Sequence, residues 1–140
     1  MNKTFQNSKT YIIGNIYRRP IEIVESCNNF TEELSDMLIT LQRRTSNIYV
    51  AGDINIDLLK IYQKHHYASF FENMISIGFY PKISLPTRFD SNNRTATLID
   101  NIFTNVLDCN TSGIFTNSIS DHQMMYTFSK DAITDHKTER

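Results

Sequence analysis

Apolar residues fall at helical spacing in two stretches of this chain and at strand spacing in several others. Ile23, Cys27, Phe30, Leu34, Met37, Leu38 and Leu41 recur every three or four positions with Glu and Asp between them, the stripe of an amphipathic helix packed on one side. A second stripe, Tyr67, Phe70, Phe71, Met74 and Ile75, predicts another helix, and Gly78 sits where a left-handed C-terminal cap belongs. Tyr11 to Tyr17 is a β-branched run ended by Arg18-Arg19-Pro20, and Ile48 to Ala51 is a short continuous apolar run; both predict strands, the second covered on both faces. Beyond Pro81 and Pro86 the pattern becomes irregular. Leu98–Thr104, Gly113–Ile119 and Met124–Phe128 then predict further strands, and the polar stretch from Ser129 predicts a frayed end. Strand, helix, strand, helix and more strands make an α/β layered domain, with no internal repeat and no low-complexity linker.

Composition narrows the class. The chain has 140 residues, enough for one domain with a core. Its formal net charge is −1, so no bulk basic field attracts polyanions and any such contact must be local. No apolar run approaches a membrane span and MNKTFQNSKT has no signal-peptide core, so an intracellular protein without membrane contact is expected. Cys27 and Cys109 are too few for a disulfide framework or a zinc site. Without a secretory route, the sequons at Asn29, Asn93 and Asn110 carry no weight.

Polar groups concentrate where strands are expected to end, the place where open α/β sheets bind ligands. Asp53, Asn55 and Asp57 alternate directly after the run Ile48–Ala51. D-x-N-x-D opens a calcium loop, but the sixth and twelfth positions hold Leu58 and Lys64 instead of Gly and Glu, so that reading fails. Tyr17-Arg18, the pair Arg88 and Asp100, and Asp121-His122 are the other three groups. Each has an ordinary explanation alone: a turn residue, a solvated charge, a core tyrosine with a wet hydroxyl. His65, His66 and His136 stay in that class.

Taken in order, GNIYRRP, AGDINIDLL, PTR with TLIDNIFTN, and SISDH resemble the second half of the endonuclease/exonuclease/phosphatase superfamily domain, most closely the apurinic/apyrimidinic-like endonucleases of non-LTR retrotransposons. The resemblance implies part of a four-layer α/β/β/α sandwich of α/β (α+β) class, over residues 11–128, with a leader at 1–10 and a polar tail at 129–140. It implies a magnesium-dependent endonuclease hydrolysing DNA phosphodiester bonds, with manganese as the substitute ion. By matching motif, Asp53 orients and deprotonates the water, Asn55 bonds the water or the phosphate, and His122 donates to a phosphate oxygen while Asp100 accepts from its other nitrogen. Asp121 faces the metal, Tyr17 donates its hydroxyl to the phosphate, and Arg18 and Arg88 contact the DNA backbone. Asp57 only starts the next turn.

The chain departs from that pattern in having Gln123-Met124 where proline usually follows SDH and YRRP where YRPP is frequent. No asparagine and glutamate of the superfamily's first half precede Tyr11, so the N-terminal half of the domain is expected to be missing, with activity weak or absent. A structural remnant without activity is the leading alternative, and a phosphoinositide or sphingolipid phosphodiesterase the lesser one. The implied partners are DNA and either a downstream reverse transcriptase or the missing half-domain, and the implied location is the nucleus.

Overall fold

A computed structural model describes residues 9–92, 94–107 and 111–129. Strand β1 (Ile12–Tyr17) leads into helix α1 (Val24–Gln42), strand β2 (Ile48–Asp53), a 3-10 turn (Leu58–Lys60) and helix α2 (His65–Ser76). Short strands β3 (Tyr80–Pro81), β4 (Arg88–Phe89) and β5 (Ala96–Thr97) follow. Strands β6 (Asp100–Thr104), β7 (Thr111–Phe115) and β8 (Met124–Phe128) complete the order. The mixed α/β class stands as expected. Cys109, His136, the last eleven residues and the first eight lie outside the described residues, as do Asn93 and Asn110.

Four strands form the main sheet in the order β1-β2-β6-β3. β1 and β2 run parallel and α1 is the crossover between them, while β6 lies antiparallel to both of its neighbours. The two helices cover one face. Phe30 of α1 stacks on Phe70 of α2 at 6.1 Å, and Phe70 meets Phe103 of β6 edge-on at 5.8 Å. Cys27, Leu34, Leu38, Ile48, Val50, Phe70, Met74 and Phe103 are buried there. Each large apolar side chain so buried contributes about 1.5–3 kcal/mol, which is what holds two weakly capped helices in place. Neither helix has a side-chain N-cap. α2 stops as expected: Gly78 adopts φ +83, its N–H bonds Ile75 O and Phe79 N–H bonds Met74 O, the paired bonds of a Schellman cap.

Among the described residues, the face away from the helices is covered only in part. The hairpin of β7 and β8 lies over it, sending Ile114 and Met125 to the core. Tyr11, Ile13, Tyr49, Ala51 and Ile102 line an apolar hollow beside it. Strand alternation puts Tyr17, Asp53 and Asp100 on this same face, at the end of the rows that Ile13, Ala51 and Ile102 occupy. The expected strand at Gly113–Ile119 is displaced to Thr111–Phe115. Residues 116–123 form the loop between the paired strands instead, folded by the side chains of Asn117, Ser120 and Gln123.

Candidate active site

Asp53 ends β2 opposite Tyr17 on one side and Asp100 on the other, so three adjacent strands bring these residues into one row. Gly52 allows it. A Cβ there would sit 1.8 Å from Ile16 O, so only glycine lets β1 close against β2 at this point. Beyond Asp53 the chain turns sharply: Asn55 N–H bonds Asp53 Oδ1 at 3.0 Å, and Asn55 itself has φ +47, a left-handed conformation that asparagine tolerates better than most residues. Asn55 Nδ2 donates to Arg18 O at 2.6 Å. Asp57 starts the next turn, as expected, its Oδ1 accepting from Leu59 N; the same oxygen accepts from Leu98 N at 3.0 Å, tying the turn to the strand that leads to Asp100.

Asp100 is buried and doubly held. Thr87 Oγ1 donates to its Oδ2 at 2.8 Å, and its own N–H donates back to Thr87 Oγ1 at 3.1 Å. His122 comes from the exposed loop between β7 and β8, and its Nδ1 lies 3.1 and 3.0 Å from the two Asp100 oxygens. A carboxylate paired this way keeps the proton on Nδ1, leaving Nε2 to face outward. Loop and sheet are joined through the PTR segment: Gln123 N–H bonds Thr87 O, Phe89 N–H bonds Asp121 O, and Arg88 bridges His122.

Asp53, Asp100 and His122 each offer a ligand atom within 4.8 Å of the others, a candidate site for a divalent cation. Its donor set suits one. Burial pushes the Asp53 carboxyl up, the Asp100 carboxylate adds to the rise, and the hydrogen bond from Asn55 offsets only part of it. Two carboxylates this close together favour a cation between them, and a divalent ion with oxygen preference is suited to the place.

Arg18 and Asp121 each engage partners within the chain. Arg18 is 6% exposed; its guanidinium donates to Asn55 O and Ile21 O and lies over the Phe30 ring, so it braces the ends of β1 and β2. Asp121 stands outside the three-residue cluster with its Oδ2 on Arg88 Nε at 2.8 Å, and that hydrogen bond holds its carboxyl below the usual carboxylate range. Arg88 is exposed, and so is Tyr17, at 66%. Sequence reasoning missed Thr87, Asn117 and Ser120, although Thr87 orients Asp100, Asn117 Nδ2 holds His122 O and Ser120 Oγ accepts from His122 N–H. Thr87 sits inside the PTR motif, so its position was the available signal; the loop residues carry none.

No protein-family model matches the chain, and no curated protein does. Among solved structures, the endonuclease domain of TRAS1, a telomere-specific non-LTR retrotransposon, matches with a TM-score of 0.55 at 16% identity, over 79% of this chain and 52% of that one. An endonuclease/exonuclease/phosphatase family protein from Leptotrichia buccalis C-1013-b matches at 23% identity with a TM-score of 0.46, over 66% of this chain and 39% of that one, too loose a superposition to argue from. The chain therefore shares its fold with the TRAS1 endonuclease domain, and it spans 52% of that domain's length.

Proposed function

We propose that this chain is a magnesium-dependent endonuclease domain that hydrolyses DNA phosphodiester bonds. The observation that carries the reading is the convergence of Asp53, Asp100 and His122, from two strands and a loop, into one cluster on this fold. Phosphodiester hydrolysis needs an activated water, charge to meet the developing phosphorane and a donor for its oxygens. Asp53, at the end of β2 on the open face of the sheet, is suited to take the proton of the attacking water. His122 donates from Nε2 to a phosphate oxygen, while Asp100, itself fixed by Thr87, keeps the imidazole oriented. Asn55 uses one N–H on Arg18 O and has a second to give the phosphate or the water. The Tyr17 hydroxyl is a further phosphate donor. Arg88 meets the DNA backbone with the terminal nitrogens left free by its Nε bond to Asp121, whose part in this reading is to aim that guanidinium. Asp53 and Asp100 would hold magnesium, or manganese in its place, beside His122. When bound, the ion supplies positive charge against the phosphate.

Likeness in fold to the TRAS1 endonuclease domain, itself part of a non-LTR retrotransposon, extends the proposal to nicking of target DNA by a mobile-element protein. Residues 11–128 would be the catalytic unit, with a reverse transcriptase as its natural associate in the nucleus. Supercoiled plasmid incubated with the purified chain and magnesium tests it. Nicking that EDTA stops and His122→Ala removes supports the proposal. Absence of nicking together with absence of any magnesium-dependent rise in Tm overturns it in favour of a domain without catalysis.

A further inference from the structure

A second hollow, of about 380 Å³, lies between the starts of α1 and α2 and the pair β4–β5. Asn55 and Arg88 stand in its wall and also border the candidate site, Asn55 through its bond to Asp53 and Arg88 through its bond to Asp121, beside His122. Lys60 and Lys64 complete a set of three cations there, against the carboxylates of Glu22 and Asp57. The excess of positive charge is local, in a chain whose formal net charge is −1. Neither lysine is used up. Lys60 Nζ meets Asp57 Oδ2 at 3.2 Å, and Lys64 Nζ lies 3.5 Å from Glu22 Oε1 and 4.8 Å from the centre of the Tyr67 ring. An ammonium carries three N–H donors, so donors remain on both. The two helices begin at this rim, and with no side-chain N-cap on either, their positive ends add to the field.

We propose that this hollow seats a second phosphate of the DNA strand whose scissile phosphate lies at Asp53, Asp100 and His122, with Lys60 and Lys64 as its donors. The inference rests on the nuclease reading and adds to it a binding subsite away from the reacting atoms. Shared walls make one strand the natural occupant: a backbone that passes Asn55 and Arg88 with one phosphate brings a neighbouring phosphate to the lysines. Glu22 and Asp57 play different parts. The Glu22 side chain is 82% exposed, and its ion pair with Lys64 is of the weak surface kind that an incoming phosphate displaces at little cost. Asp57 is buried and accepts from the amides of Leu59 and Leu98, so it stays in place and fixes Lys60 at the wall.

Anisotropy of a short fluorescein-labelled duplex, titrated with the full chain in EDTA so that no strand is cut, reads the subsite apart from catalysis. Lys60→Gln/Lys64→Gln should weaken binding roughly five- to tenfold at about 0.1 M salt and make the plot of log K against log salt shallower by about 0.9, the loss of one phosphate contact. The charge-matched pair Arg43→Gln/Arg44→Gln, at the far end of α1, should leave both quantities nearly unchanged. Glu22→Gln should tighten binding by roughly two- to fivefold, a gain that a misfolded variant cannot imitate. An unaltered slope in the lysine variant, an equal loss in the arginine control, or no gain from Glu22→Gln overturns the proposal and leaves the nuclease reading standing. Failure of the unsubstituted chain to bind the duplex sinks both. Vesicles containing phosphatidylinositol bisphosphate that bind through Lys60 and Lys64, where the duplex does not, would assign the hollow to a lipid headgroup and overturn the proposal as well.

Discussion

The two halves of the candidate site are built by different means. Asp53 and Asp100 stand at the ends of paired strands, where backbone hydrogen bonds and the clash-free closeness at Gly52 leave each carboxylate little freedom. His122 stands in an exposed loop, held by side-chain bonds with Asn117, Ser120 and Asp100 and by the backbone bridge to Arg88. The strand half is fixed by the sheet itself. The loop half is fixed by its pair with Asp100 and by backbone bonds to the PTR segment, so Thr87, which touches Asp100 and through its carbonyl Gln123, is the junction between them. Under the proposed function, a site divided in this way separates chemistry from stability: His122, to which the proposal gives a phosphate contact, makes few structural bonds, and Gly52, which lets the strands close, has no side chain to do chemistry with.

Substitutions at the two ends of that contrast should differ most. His122→Ala should lower plasmid nicking by about 10²–10⁴-fold while the midpoint of urea unfolding barely moves, because the side chain is partly exposed and makes one ion pair. A large loss of stability in that variant would show that the loop half also supports the fold. Gly52→Ala should do the reverse, costing roughly 3 kcal/mol or more in equilibrium unfolding, since the added methyl has backbone on its far side and nowhere to go. Between them, Thr87→Val keeps the shape and removes the hydroxyl that serves Asp100 twice. It should cost about 1–3 kcal/mol and also slow nicking, the combined effect that marks the junction.

The smallest effect concerns pH. The Asp53 carboxyl is raised in the folded chain above its ordinary 3.8. A group raised on folding contributes its stability below the unfolded pKa, and that contribution is lost as pH rises through the folded pKa. At neutral pH the ionised Asp53 is thus a small burden, and Asp53→Asn, which keeps the oxygen that accepts from Asn55, should raise stability by roughly 0.5 kcal/mol after solvent screening. The gain should vanish when the melt is repeated below pH 3.8. A gain that persists there would place its origin in packing instead of charge. Nicking by the same variant should fall to background, so stability and activity move in opposite directions at one residue.

The helical stripes, the strand runs and the cap at Gly78 are legible in the sequence because each rests on local periodicity or on a backbone angle that few residues accept. The strand between β6 and β8 begins two residues before its expected start because Gly113–Ile119 is only weakly apolar, and the loop that follows is shaped by asparagine, serine and glutamine side chains that leave no periodic trace. The residues of the site are legible as ordered motifs. Their division of labour is not.

From its sequence alone the chain determined which segments become helices and strands, and that Asp53, Asp100 and His122 belong to one resemblance. Only tertiary structure decided that Arg18 turns inward onto carbonyls and a ring while Asp121 turns to Arg88, because whether a charged side chain pairs, buries or meets solvent depends on neighbours brought from far along the chain. Periodicity is a property of nearby residues, and charge pairing is a property of the assembled surface.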